Sequence, residues 1–134
     1  MANILIVDDN PLDIQLLETA FRNCRSSITL HSVGNGVMAF EFLSKRGEFW
    51  NMPTPDLILL DLNLPVTNGK QILEVLQSDL VWKRIPVIIL SGSHRKEDID
   101  ACYRKGASLY VVKPDHIDRY VDLAQSFAKL ASVH

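Results

Sequence analysis

Five side chains of this 134-residue chain are of the types that act on a transferable anionic group: the carboxylates of Asp8, Asp9 and Asp61, the hydroxyl of Ser91 and the ammonium of Lys113. Asp8, Asp61, Ser91 and Lys113 each stand directly after a short apolar run, namely Ile4-Leu5-Ile6-Val7, Leu57-Ile58-Leu59-Leu60, Ile85-Pro86-Val87-Ile88-Ile89-Leu90 and Leu109-Tyr110-Val111-Val112, and Asp9 follows Asp8. Two carboxylates about 4 Å apart repel by roughly 4 kcal/mol at an effective dielectric near 20, so three together need a cation or a proton to coexist. With no His or Cys beside them the donors are all oxygen, which selects a hard ion, and a few carboxylates with water positions to spare suit Mg2+ better than a full Ca2+ cage. A metal-bound carboxylate next to a hydroxyl and a lysine is a set for phosphoryl transfer. Asp61 can attack phosphorus to give an aspartyl phosphate, the metal and Lys113 can offset charge on the equatorial oxygens, and Ser91 can donate a hydrogen bond to one of them. Taken singly, Asp9 is explained as a helix cap, Ser91 as a turn residue and Lys113 as a surface cation. Their joint arrival at strand ends is not.

The apolar runs are the elements that must position this set. Short, β-branched and nearly unbroken, they fit strands buried on both faces of a parallel sheet. Between them lie helical patterns. Asn10-Pro11 with Asp13 in the first turn starts a helix carrying Leu12, Ile14, Leu17, Phe21 and Cys24. Ser27 to Val33 reads as a weaker, edge strand, and a second helix through Val37, Phe40 and Leu43 is expected to close at about Arg46 with Gly47 as a left-handed cap. Phe49 and Trp50 lie in the following loop, where aromatics commonly cover the local end of a core. Asn68-Gly69 starts a third helix with a stripe of Ile72, Leu73, Leu76 and Leu80; a fourth spans roughly Lys96 to Lys105 before Gly106; a last one carries Ile117, Tyr120, Val121, Ala124, Phe127, Ala128 and Ala131. Five strand-helix repeats with right-handed crossovers give an α/β fold: a five-stranded parallel sheet with helices on both faces. Ligands of such sheets bind at the carboxyl ends of the strands, where strand order reverses.

Size and composition predict one domain over residues 1–134 and no output domain. The formal charge of -2 and the lack of a long basic block argue against nucleic-acid binding. Neither a signal peptide nor an apolar run of membrane-spanning length is present, so a cytoplasmic protein is expected, with no membrane partner. Cys24 and Cys102 lack metal-ligand spacing and read as reduced, buried thiols. A phosphatase with an aspartyl nucleophile would place an Asp-x-Asp after the first strand, where this chain has Asp8-Asp9-Asn10. Nucleotide binding is disfavoured by the absence of G-x-G-x-x-G and of a P-loop.

Val7-Asp8-Asp9-Asn10, Asp61 with Leu62-Asn63-Leu64-Pro65 and Asn68-Gly69, Ser91, Gly106-Ala107 and Lys113-Pro114 stand in an order and spacing that resemble the receiver domain of two-component response regulators, over essentially the whole chain. The single-domain kind is the most similar. The resemblance implies a flavodoxin-like fold with strand order 2-1-3-4-5. It implies that Asp61 is the phosphoacceptor, receiving its phosphoryl group from a phosphohistidine of a partner sensor histidine kinase. Asp8, Asp9, Asp61 and the backbone carbonyl of Asn63 would hold Mg2+, and Lys113 would pair with the acids and the phosphate through a cis bond to Pro114. Ser91 and Tyr110 would be the switch pair, reshaping the surface of the fourth helix, fifth strand and fifth helix that a downstream protein reads; a homodimer through that face is compatible with it. Such a protein is not an enzyme beyond its own phosphorylation and dephosphorylation. Three departures stand out: Ser91 in place of the commoner Thr, Gly92 after it where Ala is usual, and the uncharged Asn63 and Ser93 flanking the route for water, which bear on phosphate lifetime. The loop with Phe49 and Trp50 is similar to that of response regulators paired with bacterial phytochromes.

Overall fold

The computed structural model describes residues 2–24 and 27–132. Five strands, β1 (Ala2–Val7), β2 (Ile28–Val33), β3 (Leu57–Leu60), β4 (Val87–Ser91) and β5 (Leu109–Val112), form one parallel sheet in the order β2-β1-β3-β4-β5. Alternate residues of each strand enter different cores. Leu5, Val7, Ile58, Leu60 and Ile89 face α2 (Gly36–Ser44), α3 (Gly69–Ser78) and α4 (Lys96–Arg104), whereas Ile4, Ile6, Leu59 and Leu90 face α1 (Pro11–Asn23) and α5 (Ile117–Ser132). Burial on both faces is why the central strands read as unbroken apolar runs rather than alternating ones.

Strand order reverses between β1 and β3, where Val7 lies beside Leu60. The ladder continues one residue past β1, β3 and β5: Asp8 N donates to the Val33 carbonyl at 3.0 Å, Asp61 N to that of Val7 at 3.0 Å and Lys113 N to that of Ser91 at 2.8 Å. Asp8, Asp61, Ser91 and Lys113 are thus carried by sheet hydrogen bonds, and Asp9 follows in the bend that leads into α1.

Local capping follows the sequence at most ends. Asn10 Oδ1 accepts from Leu12 N with Pro11 next to it, and Asn68 and Gln71 form a reciprocal capping box at the start of α3. Four details differ from expectation. The left-handed residue that closes α2 is Lys45 (φ 57°), and Gly47 (φ 56°) instead opens a single 3-10 turn, Gly47–Phe49. Helix α3 ends at Ser78, and Leu80 is 75% exposed, because Asp79 turns the chain by accepting from Val81 N and Trp82 N. Phe49 packs on Phe42 with ring centroids 5.4 Å apart, but Trp50 points to solvent. The Lys113–Pro114 bond is trans; a tertiary amide separates the two isomers by only about 1 kcal/mol, so the motif alone does not choose.

Val66 is, with Lys45, one of two non-glycine residues with positive φ among the described residues, and the only β-branched one. Its φ is 66°, its side chain is fully exposed, and Thr67 N donates to the Pro65 carbonyl at 2.7 Å across it, a tight three-residue turn. A β-branched residue is disfavoured there by roughly 1 to 2 kcal/mol. Val66→Gly is therefore expected to raise the urea midpoint, by about 0.5 to 1 kcal/mol of stability after the extra unfolded-state entropy of glycine is subtracted.

Candidate functional site

At the carboxyl edge of β1, Asp8 is 3% exposed and points one oxygen, Oδ1, back to accept from Asn10 N at 2.9 Å. That bond folds Asp8-Asp9-Asn10 tightly into the start of α1 and leaves Asp9 exposed beside it. Asp61, 6% exposed, arrives on β3 with Oδ1 toward Asn63 N at 3.4 Å. Each of Asp8, Asp9 and Asp61 offers a carboxylate oxygen, and these oxygens lie within 4.8 Å of one another.

Lys113 spans the cluster. Its Nζ lies 3.3 Å from Asp8 Oδ2, 3.3 Å from Asp61 Oδ2 and 2.6 Å from Asp13 Oδ2. Burial pulls its ammonium down, but the bond to Asp13 and the charges of Asp8, Asp61 and Asp13 more than offset this and hold it well above its ordinary value. Burial pushes Asp8 up, opposed by the Asn10 bond and by Lys113 and reinforced by the charge of Asp61. One ammonium against the poorly solvated carboxylates of Asp8, Asp13 and Asp61, with the exposed Asp9 beside them, leaves net negative charge at the site. All-oxygen donors at this spacing, with an excess of anion, fit a hard divalent cation.

Ser91, fully buried at the end of β4, accepts from Ser93 N at 3.1 Å through Oγ. Its own O–H is thereby left to donate elsewhere. Tyr110 on β5 is turned inward, and its phenol donates to the Ser93 carbonyl at 2.7 Å.

The structure brings together Asp8, Asp9, Asp61 and Lys113 as the sequence predicts. It adds Asp13, whose bond to Lys113 is the shortest in the cluster. In the sequence Asp13 reads only as a helix-dipole acid; the signal for more was its place in the first turn of a helix that begins two residues after the acid pair. It also gives Gly69 a second task. A Cβ there would lie 2.4 Å from the Asp61 carbonyl oxygen and 2.7 Å from Leu62 Cα, both backbone. Gly69→Ala must displace the segment that carries Asp61, and a loss of about 3 kcal/mol, at the upper end of overpacking effects, is expected in chemical denaturation together with weaker divalent-cation binding.

The family model described as the response regulator receiver domain matches residues 4–125. Response regulator Rcp1 of Synechocystis sp. is 34% identical over 122 residues, 91% of this chain and 83% of that protein. The crystal structure of the Mn(2+)-bound form of Rcp1 matches at a TM-score of 0.88 and 32% identity, covering 100% of this chain and 98% of the other. The phosphorylated cyanobacterial phytochrome response regulator RcpA matches at 0.88 and 34% identity, covering 97% and 93%. The bacteriophytochrome response regulator AtBRR matches at 0.81 and 29% identity, covering 100% and 96%.

Proposed function

This chain belongs to the response regulator receiver domain family, and on that premise we propose that it is a switch that takes a phosphoryl group onto Asp61. The observation that carries the reading is Lys113 held between Asp8, Asp13 and Asp61 where the strand order reverses, with Ser91 at the next strand end. An Asp61 oxygen forms the new bond to phosphorus as the P–N bond to a donor phosphohistidine breaks, and the leaving imidazole keeps the electron pair and picks up a proton. Lys113 Nζ, 3.3 Å from Asp61 Oδ2, would pair with an equatorial phosphoryl oxygen, and the Ser91 hydroxyl would donate to another. Mg2+, held by Asp8, Asp9, Asp61 and the Asn63 carbonyl, would supply Lewis-acid neutralisation of the same charge.

The donor we infer is a sensor histidine kinase, and the likeness to RcpA and AtBRR favours one of the phytochrome kind. The chain turns over no external substrate; it catalyses only its own phosphorylation and dephosphorylation, in the cytoplasm. No helix among the described residues is long and apolar enough to cross a membrane. The output surface is the face of α4, β5 and α5, where Tyr103, Leu109, Val112 and Ile117 are partly exposed and offer apolar area to a downstream protein or to a second copy of the chain. A coupling of about 1 to 3 kcal/mol between the site and that face suffices for signalling.

Incubation with a small phosphodonor tests the reading. In Mg2+ the intact mass should rise by one phosphoryl group, and a chelator should suppress the rise at least about tenfold; acceptance at equal rate with and without divalent metal would contradict it.

A further inference from the structure

Ser93 has every polar group of its backbone and side chain engaged, each by a different part of the fold. Its N–H donates to Ser91 Oγ at 3.1 Å, its carbonyl accepts from the Tyr110 phenol at 2.7 Å, and its hydroxyl donates to Asp98 Oδ2 at 2.6 Å. Asp98, in the first turn of α4, accepts from Lys70 Nζ of α3 through its other oxygen at 2.7 Å. The start of α4 has no side-chain cap at Arg95; instead Arg95 N donates to Ser93 Oγ at 3.3 Å. A serine that merely turns the chain after β4 would need only the first of these bonds.

We propose that Ser93 is the positioning residue through which Ser91 and Tyr110 are coupled to α4 and, by the Asp98–Lys70 ion pair, to α3. The proposal rests on Asp61 being the phosphoacceptor. When Ser91 turns its hydroxyl toward a phosphoryl oxygen, the Ser93 N–H bonded to it must follow or let go. Because the same residue holds Asp98 and Tyr110, any shift of its backbone reaches the amino end of α4 and the β5 ring together. A two-state element biased from one site and read at another is what coupling requires. Lys105 and Glu74 form another ion pair between the carboxyl end of α4 and α3 that has no bond to Ser93, and it serves as an internal control.

Hydrogen exchange of the α4 amides, with and without beryllofluoride and Mg2+ as the phosphoryl mimic, tests this on the full chain. In the unchanged protein the mimic should alter α4 exchange by about fivefold or more, the lower end of ordinary coupling. Ser93→Ala should still bind the mimic but lose the α4 response, to less than about twofold; Ser93→Thr, which keeps the hydroxyl, should restore it, and Lys105→Ala should leave it intact. An unchanged α4 response in Ser93→Ala overturns the proposal, as does an equal loss in Lys105→Ala, which would show general loosening between α3 and α4. Loss of mimic binding in Ser93→Ala alone also overturns it, because Ser93 would then belong to the binding site itself. Failure of the unchanged protein to bind the mimic would instead remove the phosphoacceptor reading, and the coupling with it.

Discussion

The Asp61→Asn protein should accept a phosphoryl group from a small phosphodonor at least roughly 10³-fold more slowly than the unchanged chain, because the carboxamide keeps the shape of the side chain and loses the anionic oxygen that attacks phosphorus. The fold should survive. Asp61 is hydrogen-bonded into the sheet through its backbone N–H, which the substitution leaves alone, and Lys113 retains Asp8 and Asp13 as partners. Unfolding free energy is therefore expected to stay within about 1 kcal/mol. Intact mass and a denaturation curve on the same sample separate loss of the nucleophile from loss of structure. Retained acceptance in a folded Asp61→Asn protein would move the acceptor to another residue.

Lys113→Ala should have the largest effect on stability. The side chains of Lys113, Asp8 and Asp61 are 15%, 4% and 7% exposed, so removal of the ammonium leaves carboxylates without compensation in a place that water reaches poorly. Breaking a buried pair on one side costs about 3 to 5 kcal/mol. The pH dependence has a definite sign. Lys113 is held above its ordinary value of 10.5, so its contribution is complete below that pH and is lost only as pH rises through the higher folded value. Asp8 is raised above 3.8, chiefly by burial, so its folded form is favoured when protonated: that contribution is present below 3.8 and is lost as pH rises through the raised value. In Lys113→Ala the acids have lost their cation, so the deficit should be large at pH 7 and shrink as pH falls toward 4. Millimolar Mg2+ should recover part of it by binding the folded state. A deficit independent of both pH and Mg2+ would mean that Lys113 acts through packing of its stem.

The strand ends were legible because their cause is local. A parallel sheet covered on both sides demands short apolar runs, and the polar residue that ends each run lands on one edge, so Asp8, Asp9, Asp61, Ser91 and Lys113 could be grouped with no coordinates. Features set by tertiary geometry were not. Asp13 is an ordinary first-turn acid until Lys113 is brought from 100 residues away. Gly69 reads as a turn former, and only the folded chain shows the Asp61 carbonyl pressed against it. Leu80 continues a helical spacing that Asp79 interrupts by turning the chain, and Lys45 takes a left-handed conformation one would assign to the neighbouring Gly47. The isomer of Lys113–Pro114 is decided by too small a preference to be read from the dipeptide. In the sequence Ser93 stands out only for lacking charge near the water route, whereas its bonds tie Ser91, Tyr110 and Asp98 together.

The most direct measurement is to locate the phosphoryl group. After reaction with a small phosphodonor in Mg2+, reduction of the acyl phosphate with borohydride and proteolysis, tandem mass spectrometry should find the reduced residue, homoserine in place of aspartate, at position 61 and at no other acid of the cluster. A modification at Asp8, Asp9 or Asp13, or a phosphoryl group retained on a histidine, would contradict the account.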